Sequence, residues 1–441
     1  MGAANPIRID LASSPPCEAF RPRFIQPAGN RAHADQASPF ESERPRSGSI
    51  IAFICAAALV GFATNLSMHL LNLRMQHLGV SGFGIGLSVA IQAFGIIIAA
   101  PLTKHVISFA GVRQTLLIGA LLSSIALITF AFATDLFVWN SMRLMFATGL
   151  ALLFTASESL VISRADASNR GRVVAWYATA LATGTAAGPL LVTVVGIQGP
   201  APLVWSTLLF WLAAAPIVAS LKRGEELAPV VRHSTFATIR FAPIAFLSAF
   251  VFGVVDNGGM SMLSVYSVMC GYDYTNAVML AAFATIGAIL LQIPLGYSAN
   301  NTDPRVLLLL CAISSILLLA VLPNIMGVKP LAFGVVFGLG GFLEGLYTVG
   351  LICIAKFYRG VGISSANGCF VSMCGFGELM GPLATGASME YLGSQGFVVG
   401  LTMTLAAYIV LIASMKPIAK IGSPMPFGGR LPARQTHSAN Q

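Results

Sequence analysis

Charged residues are scarce in this sequence. Only 9% of its 441 residues are Asp, Glu, Lys or Arg, whereas 56% are hydrophobic. A soluble domain carries about 25% charged residues, because its surface faces water. The composition therefore excludes a soluble enzyme or a nucleic-acid-binding module as the main body of the chain, and it indicates a protein that is covered by lipid.

Cysteine pairs and catalytic motifs are also missing. None of the seven cysteines forms a C-x-x-C pair, and five lie inside apolar runs, where free cysteine commonly acts as a small core residue. No zinc-ligand spacing and no H-E-x-x-H, G-x-S-x-G or P-loop pattern occurs. We expect no disulfide, no metal, no cofactor and no enzymatic activity, and ATP is excluded as an energy source within this chain.

The first 49 residues differ from the rest of the sequence. They contain seven prolines, six arginines and five acids but no apolar segment of the kind that a cleavable signal needs. Such a composition cannot bury enough apolar surface to offset the entropy lost on ordering. We predict a disordered cytoplasmic tail over residues 1–49.

Twelve mostly apolar stretches follow this tail. Each is long enough to cross the hydrocarbon core of a bilayer, which takes about 20 residues of helix. Backbone groups in lipid must be hydrogen-bonded internally, and this favours helices. The predicted spans, numbered one to twelve, are 50–73, 83–103, 114–134, 138–162, 173–196, 202–221, 241–268, 276–298, 306–325, 330–355, 363–387 and 396–415.

The positions of the basic residues test this count. With the N-terminus inside, 22 of the Lys and Arg residues fall in cytoplasmic segments and only two in outer loops. Such an imbalance is typical of inner-membrane proteins and predicts that both termini are cytoplasmic. The predicted domains are a six-helix bundle over 50–221, a cytoplasmic linker over 222–240, a second six-helix bundle over 241–415 and a cytoplasmic tail over 416–441.

The two predicted bundles share a pattern of glycine and proline residues at matching positions. The pattern Gly-x-x-x-Gly-Pro occurs in span five and again in span eleven, 193 residues later, and Pro101 and Pro294 have the same separation. A six-helix unit that repeats with its orientation preserved indicates a parallel repeat about an axis along the membrane normal. The residues of the repeated pattern are Gly184, Gly188, Pro189, Gly377, Gly381 and Pro382.

These motifs resemble those of the major facilitator superfamily over about residues 50–420. The glycine–proline pattern resembles the antiporter-type motif of that family. Glu158-Ser159, Arg170-Gly171-Arg172-Val173 and Gln292-x-Pro294-x-Gly296 are similar to its YcaD-like branch. The resemblance implies an all-α membrane protein, with twelve transmembrane helices in two parallel six-helix repeats. It also implies a central cavity lined by spans one, four, seven and ten.

One part of the family pattern is absent. The loop after span two normally contains a carboxylate that pairs across the cytoplasmic face, but Ser108 stands in its place, beside the retained Gly111 and Arg113. After span eight, Asn300 occupies the corresponding acidic position. A strongly charge-latched cytoplasmic gate is therefore not expected.

Charged residues inside the spans are candidates for function, because each costs about 2.5–3.5 kcal/mol at a helix centre. Asp256 in span seven and Glu344 in span ten are predicted to carry protons, the alternative being protonated acids in helix contacts. Glu378 in span eleven is either a third coupling acid or a structural residue. Glu158 is expected to pair with a nearby arginine, and Arg143 to anchor substrate or to neutralise a cavity acid.

Polar residues recur at helical spacing in spans one and seven. Such stripes line either a substrate path or an interhelical hydrogen-bonded contact, which contributes about 0.6 kcal/mol per pair. His69 could also titrate near physiological pH. The predicted path residues, besides Arg143, are Asn65, His69 and Asn72 in span one and Asn257, Ser261 and Ser264 in span seven, 192 residues further along.

The sequence as a whole predicts a secondary active carrier in a bacterial inner membrane. It is expected to act as a monomer by alternating access, with a small-molecule substrate, protons and membrane lipids as its partners. The abundance of aromatic residues favours a planar amphipathic solute, for example riboflavin, that is taken up. The alternatives are proton-driven multidrug efflux and, from another class, a membrane receptor or scaffold that does not transport.

Overall fold

The computed structural model describes residues 47–164, 170–196, 199–220, 242–357 and 361–415, and all of its regular structure is helical. The predicted linker, the C-terminal tail and residues 1–46 lie outside these ranges. In chain order the helices are α1 (Ser47–His77), α2 (Gly82–Phe132), α3 (Leu136–Arg164), α4 (Arg170–Val195), α5 (Ala201–Ser220), α6 (Pro243–Val255), a π-helical turn (Asp256–Met260), α7 (Leu263–Met269), α8 (Tyr274–Asn301), α9 (Pro304–Ile325), α10 (Lys329–Phe357), α11 (Val361–Leu392) and α12 (Gln395–Ser414).

Predicted spans two and three lie in the single long element α2. A loop was predicted over residues 104–113, but helix continues through most of it and breaks only at Gly111. This residue has φ 80° and ψ 161°, values that residues with a Cβ rarely adopt. The chain therefore turns between two helical arms at one glycine rather than through an extended loop.

Predicted span seven is interrupted rather than continuous. Helix α6 ends at Val255, five residues follow in π-helical geometry, and α7 begins at Leu263. A π turn contains more residues per turn than an α-helix, so it changes the direction of the side chains that follow it. Short π segments occur frequently at functional sites.

Eight of the helices in the described part of the chain are long and apolar enough to cross a membrane. Helix α9 shows why lipid is their environment. Leu308, Ala312 and Leu319 are buried on its inner side, whereas Leu310 and Leu317 are exposed on its outer side. A helix that is apolar all round needs an apolar solvent on the face that the protein leaves uncovered.

Close helix contacts involve the repeated glycines. A Cβ on Gly184 would lie 2.7 Å from the carbonyl carbon of Ala58, which joins α4 to α1. A Cβ on Gly377 would lie 2.8 Å from the backbone nitrogen of Val254, which joins α11 to α6. Gly188 and Gly381 make the same kinds of contact one turn further along, against Phe62 and Val254. Small residues allow such backbone approaches between membrane helices.

The start of α8 is fixed by a side-chain cap. The Asp273 carboxylate accepts hydrogen bonds from the backbone nitrogen of Asn276, at 3.2 Å, and from the Asn276 side-chain amide. This amide lowers the pKa of the Asp273 carboxyl below its ordinary value. Lys329 Nζ lies 3.9 Å from the same carboxylate, but both side chains are exposed and such a pair contributes little.

Candidate functional site

A cavity of about 250 Å³ lies where α1, α4, α8, α10 and the π turn meet. Polar residues from both halves of the chain line it. They include both acids that were predicted to carry protons, in spans seven and ten. The lining residues are Asn65, Met68, His69, Thr185, Asp256, Met260, Ser261, Ala281, Ala284, Thr285, Ala288, Gly340, Leu343 and Glu344.

The lining has a distinctive chemical character. Asp256 and Glu344 supply two carboxyl groups, and the described lining residues include no Lys or Arg. They also include no Phe, Tyr or Trp, so the described part of the chain does not supply the aromatic walls that the composition suggested. The side-chain oxygen of Asn65 is buried and has no hydrogen-bond donor among the described residues. The cavity can therefore offer several hydrogen-bond acceptors to a solute.

Helix α1 packs against residues 261–269, which follow the π turn and include α7, and closes the cavity on the side of the turn between α1 and α2. We call this side the α1–α2 end. His69 Nδ1 lies 3.3 Å from Ser264 Oγ, and Asn72 Nδ2 donates to the backbone oxygen of Ser261 at 2.9 Å. Gln76 Nε2 donates to the backbone oxygen of Val265 at 3.2 Å. We call these three hydrogen bonds the α1–α7 latch.

A second contact joins the halves of the chain at the same end. The start of α2 lies against the last turns of α11: a Cβ on Gly86 would lie 3.0 Å from the carbonyl carbon of Pro382 and 3.2 Å from Cα of Gly386. Nearby, the backbone nitrogen of Phe83 donates to a carboxylate oxygen of Glu390 at 3.3 Å. This contact and the latch thus both join the two halves at the α1–α2 end.

Arg143 of α3 is fully buried beside the latch. Its guanidinium donates to Gln92 Oε1 and to Asn72 Oδ1, each at 2.6 Å. The second hydrogen bond fixes the orientation of the Asn72 amide, whose nitrogen then faces Ser261. Arg143 is not among the described residues that line the cavity. The structure places this predicted substrate anchor or counter-ion against Asn72 and Gln92 instead.

Asn257 and Glu378 form a separate contact behind the π turn. Asn257 Nδ2 donates to the backbone oxygen of Glu378 at 2.9 Å, and Cys374 Sγ donates to Glu378 Oε1 at 3.4 Å. Gly258 fits directly against Gly381 of α11. Neither Asn257 nor Glu378 lines the cavity, because both belong to the α11 side of the π turn.

The two predicted polar stripes therefore differ from the sequence-based picture. Asn65, His69 and Ser261 line the cavity. Asn72 and Ser264 instead join the halves to each other, while Asn257 turns to α11 because the π turn changes the register of span seven. Four of the six stripe side chains, including that of His69, therefore make hydrogen bonds between helical segments, and His69 also lines the cavity.

Of the two gate positions at the opposite end of the molecule, the structure describes the side chain of one. Ser108 is exposed, and its hydroxyl donates to the backbone oxygen of His105 on its own helix at 2.9 Å. The side chains of Asn300 and of the arginines expected to pair with Glu158 lie outside the described residues, and Glu158 itself is exposed.

Sequence reasoning did not single out two kinds of residue in and beside the cavity. Gln92 accepts a hydrogen bond from the buried Arg143 guanidinium. The position of this glutamine inside an apolar span was a signal that could have been used. Thr185 and Thr285 line the cavity but occur as ordinary small residues in their spans. Nothing in their spacing distinguishes them from helix-packing threonines.

Comparisons with known proteins agree with this architecture. The family model of the Major Facilitator Superfamily matches residues 50–343. An "Uncharacterized MFS-type transporter YfkF" from Bacillus subtilis is 23% identical over 379 residues, which cover 82% of this chain and 94% of that protein. An "Uncharacterized MFS-type transporter YcaD" from Escherichia fergusonii is 21% identical over 347 residues, which cover 78% of this chain and 89% of the relative.

Solved structures share the fold at lower sequence identity. The nucleoside transporter NupG superposes with a TM-score of 0.65 at 13% identity, covering 83% of this chain and 97% of that structure. A D-xylose-proton symporter superposes with a TM-score of 0.63 at 12% identity, covering 84% of this chain and 98% of the symporter.

Proposed function

Because the chain belongs to the Major Facilitator Superfamily, we propose that it is a secondary active transporter, which moves a small organic solute across the bacterial inner membrane by alternating access. The observation that carries this proposal is the central cavity, which contains two carboxyl groups and is closed at one end by contacts between the two halves of the chain. Separation at that end, with closure at the other, would expose the cavity to each side in turn.

The proposed topology is twelve transmembrane helices in two parallel six-helix repeats, with both termini in the cytoplasm. The contacts of Gly184 with Ala58 and of Gly377 with Phe250 support the repeat, because each partner lies 192 or 193 residues after its counterpart. The break at Gly111 divides α2 into two arms, which correspond to spans two and three. In this topology the α1–α2 end is the external face.

We further propose that Asp256 and Glu344 couple transport to protons. Both lie in the cavity wall, where each alternation of access would bring them into contact with water on opposite sides. One charge that crosses the membrane potential gains about 2.3 kcal/mol per 100 mV, comparable to the cost of keeping one acid within the membrane. Glu378 is half-buried behind the π turn and is a candidate for a third acid in the same relay.

The test is solute accumulation in proteoliposomes with an imposed pH gradient. Purified protein is given a labelled panel of cationic, neutral and anionic small solutes, and accumulation is compared with and without an ionophore that collapses the gradient. We expect gradient-dependent accumulation or depletion of one class, lost in the Asp256→Asn, Glu344→Gln double variant. Accumulation that survives collapse of the gradient would refute proton coupling, and full activity of the double variant would refute the role of these two acids.

Glu378→Gln separates the third acid from the first two. If Glu378 belongs to the relay, this variant loses gradient-driven transport while it still binds solute, because it does not touch the cavity. Normal gradient-driven transport would assign it a structural role against the π turn.

A further inference from the structure

The cavity lining has an electrostatic preference that narrows the substrate class. Asp256 and Glu344 are its acids and His69 is its one titratable base, and no Lys or Arg offsets the acids among the described lining residues. The nearby base, Arg143, is already engaged by Asn72 and Gln92. Charges interact strongly where the effective dielectric constant is low. An anionic solute would meet repulsion in this cavity, whereas a cation would be attracted.

Hydrogen-bonding capacity points in the same direction. The buried side-chain oxygen of Asn65 needs a donor and finds none among the described residues. An unsatisfied buried acceptor costs about 1–3 kcal/mol, and an N–H group on the solute could supply the missing donor. Together with the two carboxyl groups, this oxygen makes the lining richer in acceptors than in donors.

The dimensions and walls of the cavity argue against a large planar solute. Its volume of about 250 Å³ lies below the range of about 300–1,000 Å³ that is usual for drug-sized ligands. The described lining residues include no Phe, Tyr or Trp, so none of them offers a ring on which a planar solute could stack. The flexible side chains of Met68 and Met260 instead suit an aliphatic chain.

We infer, on the basis of the proposed function, that the transported solute is a small aliphatic organic cation that carries N–H donors. Its ammonium groups bind the carboxylates of Asp256 and Glu344, and an N–H group donates to Asn65. Protons and the cation then exclude each other at the same carboxyl groups. Binding of the cation releases protons, so the carrier exchanges one for the other, and proton entry drives export of the cation.

Matched probes of one chain length test the charge preference. Putrescine, 1,4-butanediol and succinate have four-carbon chains with cationic, neutral and anionic ends, and tetramethylammonium is a cation without N–H groups. We expect putrescine, or another of the amines spermidine, agmatine and butylamine, to raise the thermal unfolding temperature of the purified protein, as a ligand of the folded state does. The diol, the dicarboxylate and tetramethylammonium should bind at least about tenfold more weakly, since none of them carries a cationic N–H donor for the two carboxylates.

Variants locate the binding to the cavity. Asp256→Asn and Glu344→Gln should each weaken amine binding by about tenfold or more, because each removes one ionic acceptor. Glu158→Gln neutralises an exposed acid outside the cavity and serves as the matched control, with unchanged affinity. Gel filtration and the unfolding temperature without ligand show whether each variant is folded.

Competition with protons provides a second measurement on the unaltered protein. Amine affinity should fall as the pH is lowered, by up to about tenfold per pH unit for each proton that must leave. The inference is overturned if none of the four amines binds, if the diol or succinate binds as tightly as the amines, or if amine affinity does not change with pH.

These outcomes are distinct from failure of the proposed function. A neutral or anionic solute that moves in response to the pH gradient would leave the transporter proposal intact and overturn the cation inference. If an amine binds but its transport does not depend on the pH gradient, proton coupling is refuted. The inference that the solute is a cation would still hold.

Discussion

Replacing Gly86 with alanine places one methyl group in the contact between α2 and α11 at the α1–α2 end. The added Cβ would lie 3.0 Å from the carbonyl carbon of Pro382 and 3.2 Å from Cα of Gly386, and these backbone atoms cannot move without a shift of the helix. Overpacking of this kind costs about 1–3 kcal/mol. The cost applies only while the two halves touch here, so the substitution destabilises the conformation described above relative to one that is open at this end.

The magnitude follows from the same figure. A differential free energy of about 1–3 kcal/mol changes the ratio of two conformations by about 5- to 150-fold. Leu78 and Leu392 are exposed positions at this end, one in each half of the chain. Spin labels attached at these two positions in a cysteine-free background report the distance between the halves by pulsed electron paramagnetic resonance. We expect the Gly86→Ala distance distribution to gain a longer component at the expense of the short one.

Gly287→Ala is the matched control. A Cβ there would lie 2.7 Å from the carbonyl carbon of Phe337, also a backbone contact, but between α8 and α10 of the same half. This variant should lower the unfolding temperature without changing the label distance. If Gly86→Ala likewise lowers only the unfolding temperature, then the α2–α11 contact does not open during the cycle and the reasoning fails.

Three further predictions concern topology, the buried arginine and the α8 cap. Reporter fusions after residues 225 and 420 should read cytoplasmic and one after residue 328 external; a cytoplasmic signal at 328 would remove the twelve-helix topology. Arg143→Lys should lower the free energy of unfolding by about 1–3 kcal/mol, measured by thermal unfolding in detergent, because an ammonium lacks the fork that reaches both amide oxygens. An unchanged unfolding temperature would show that the two hydrogen bonds are dispensable. Asp273→Ala should cost about 1 kcal/mol at pH 7 through loss of the cap. Since the folded carboxyl has a lowered pKa, this difference should persist above about pH 3.9 and shrink as the pH falls through the folded value; a difference that grows in acid would contradict the assignment.

The positions of the cavity acids were accessible from the sequence, because the cost of a carboxyl group in lipid marks it wherever it occurs. Asp256 and Glu344 were singled out on that argument, and the structure places both in the wall of one cavity. The bounds of regular helices were accessible for a similar reason: the ninth span was predicted over 306–325, and α9 covers Pro304–Ile325. Long apolar runs leave little freedom in where a helix can begin and end.

The direction of individual polar side chains was not accessible in the same way. Periodicity assumes an unbroken α-helix, and the π turn in span seven sends Asn257 to α11 while Ser264 faces α1. The role of Arg143 depended on a partner from another helix, Gln92, and on the amide of Asn72, neither of which periodicity pairs with it. Such contacts are decided by tertiary packing.

The π turn also sets a rotational register along the seventh span. An α-helix advances by about 100° per residue, so deletion of one residue from Asp256–Met260, such as Gly259, would rotate everything beyond it by roughly that angle if the turn closed to regular α-helix. Ser264 would then leave His69, and the Tyr266 ring, stacked on Phe397 with centroids 4.5 Å apart, would leave α12. The extra residue of the π turn thus rotates the following helix relative to the preceding one. Because of this rotation Asp256 faces the cavity, while Ser264 faces α1 and Tyr266 faces α12.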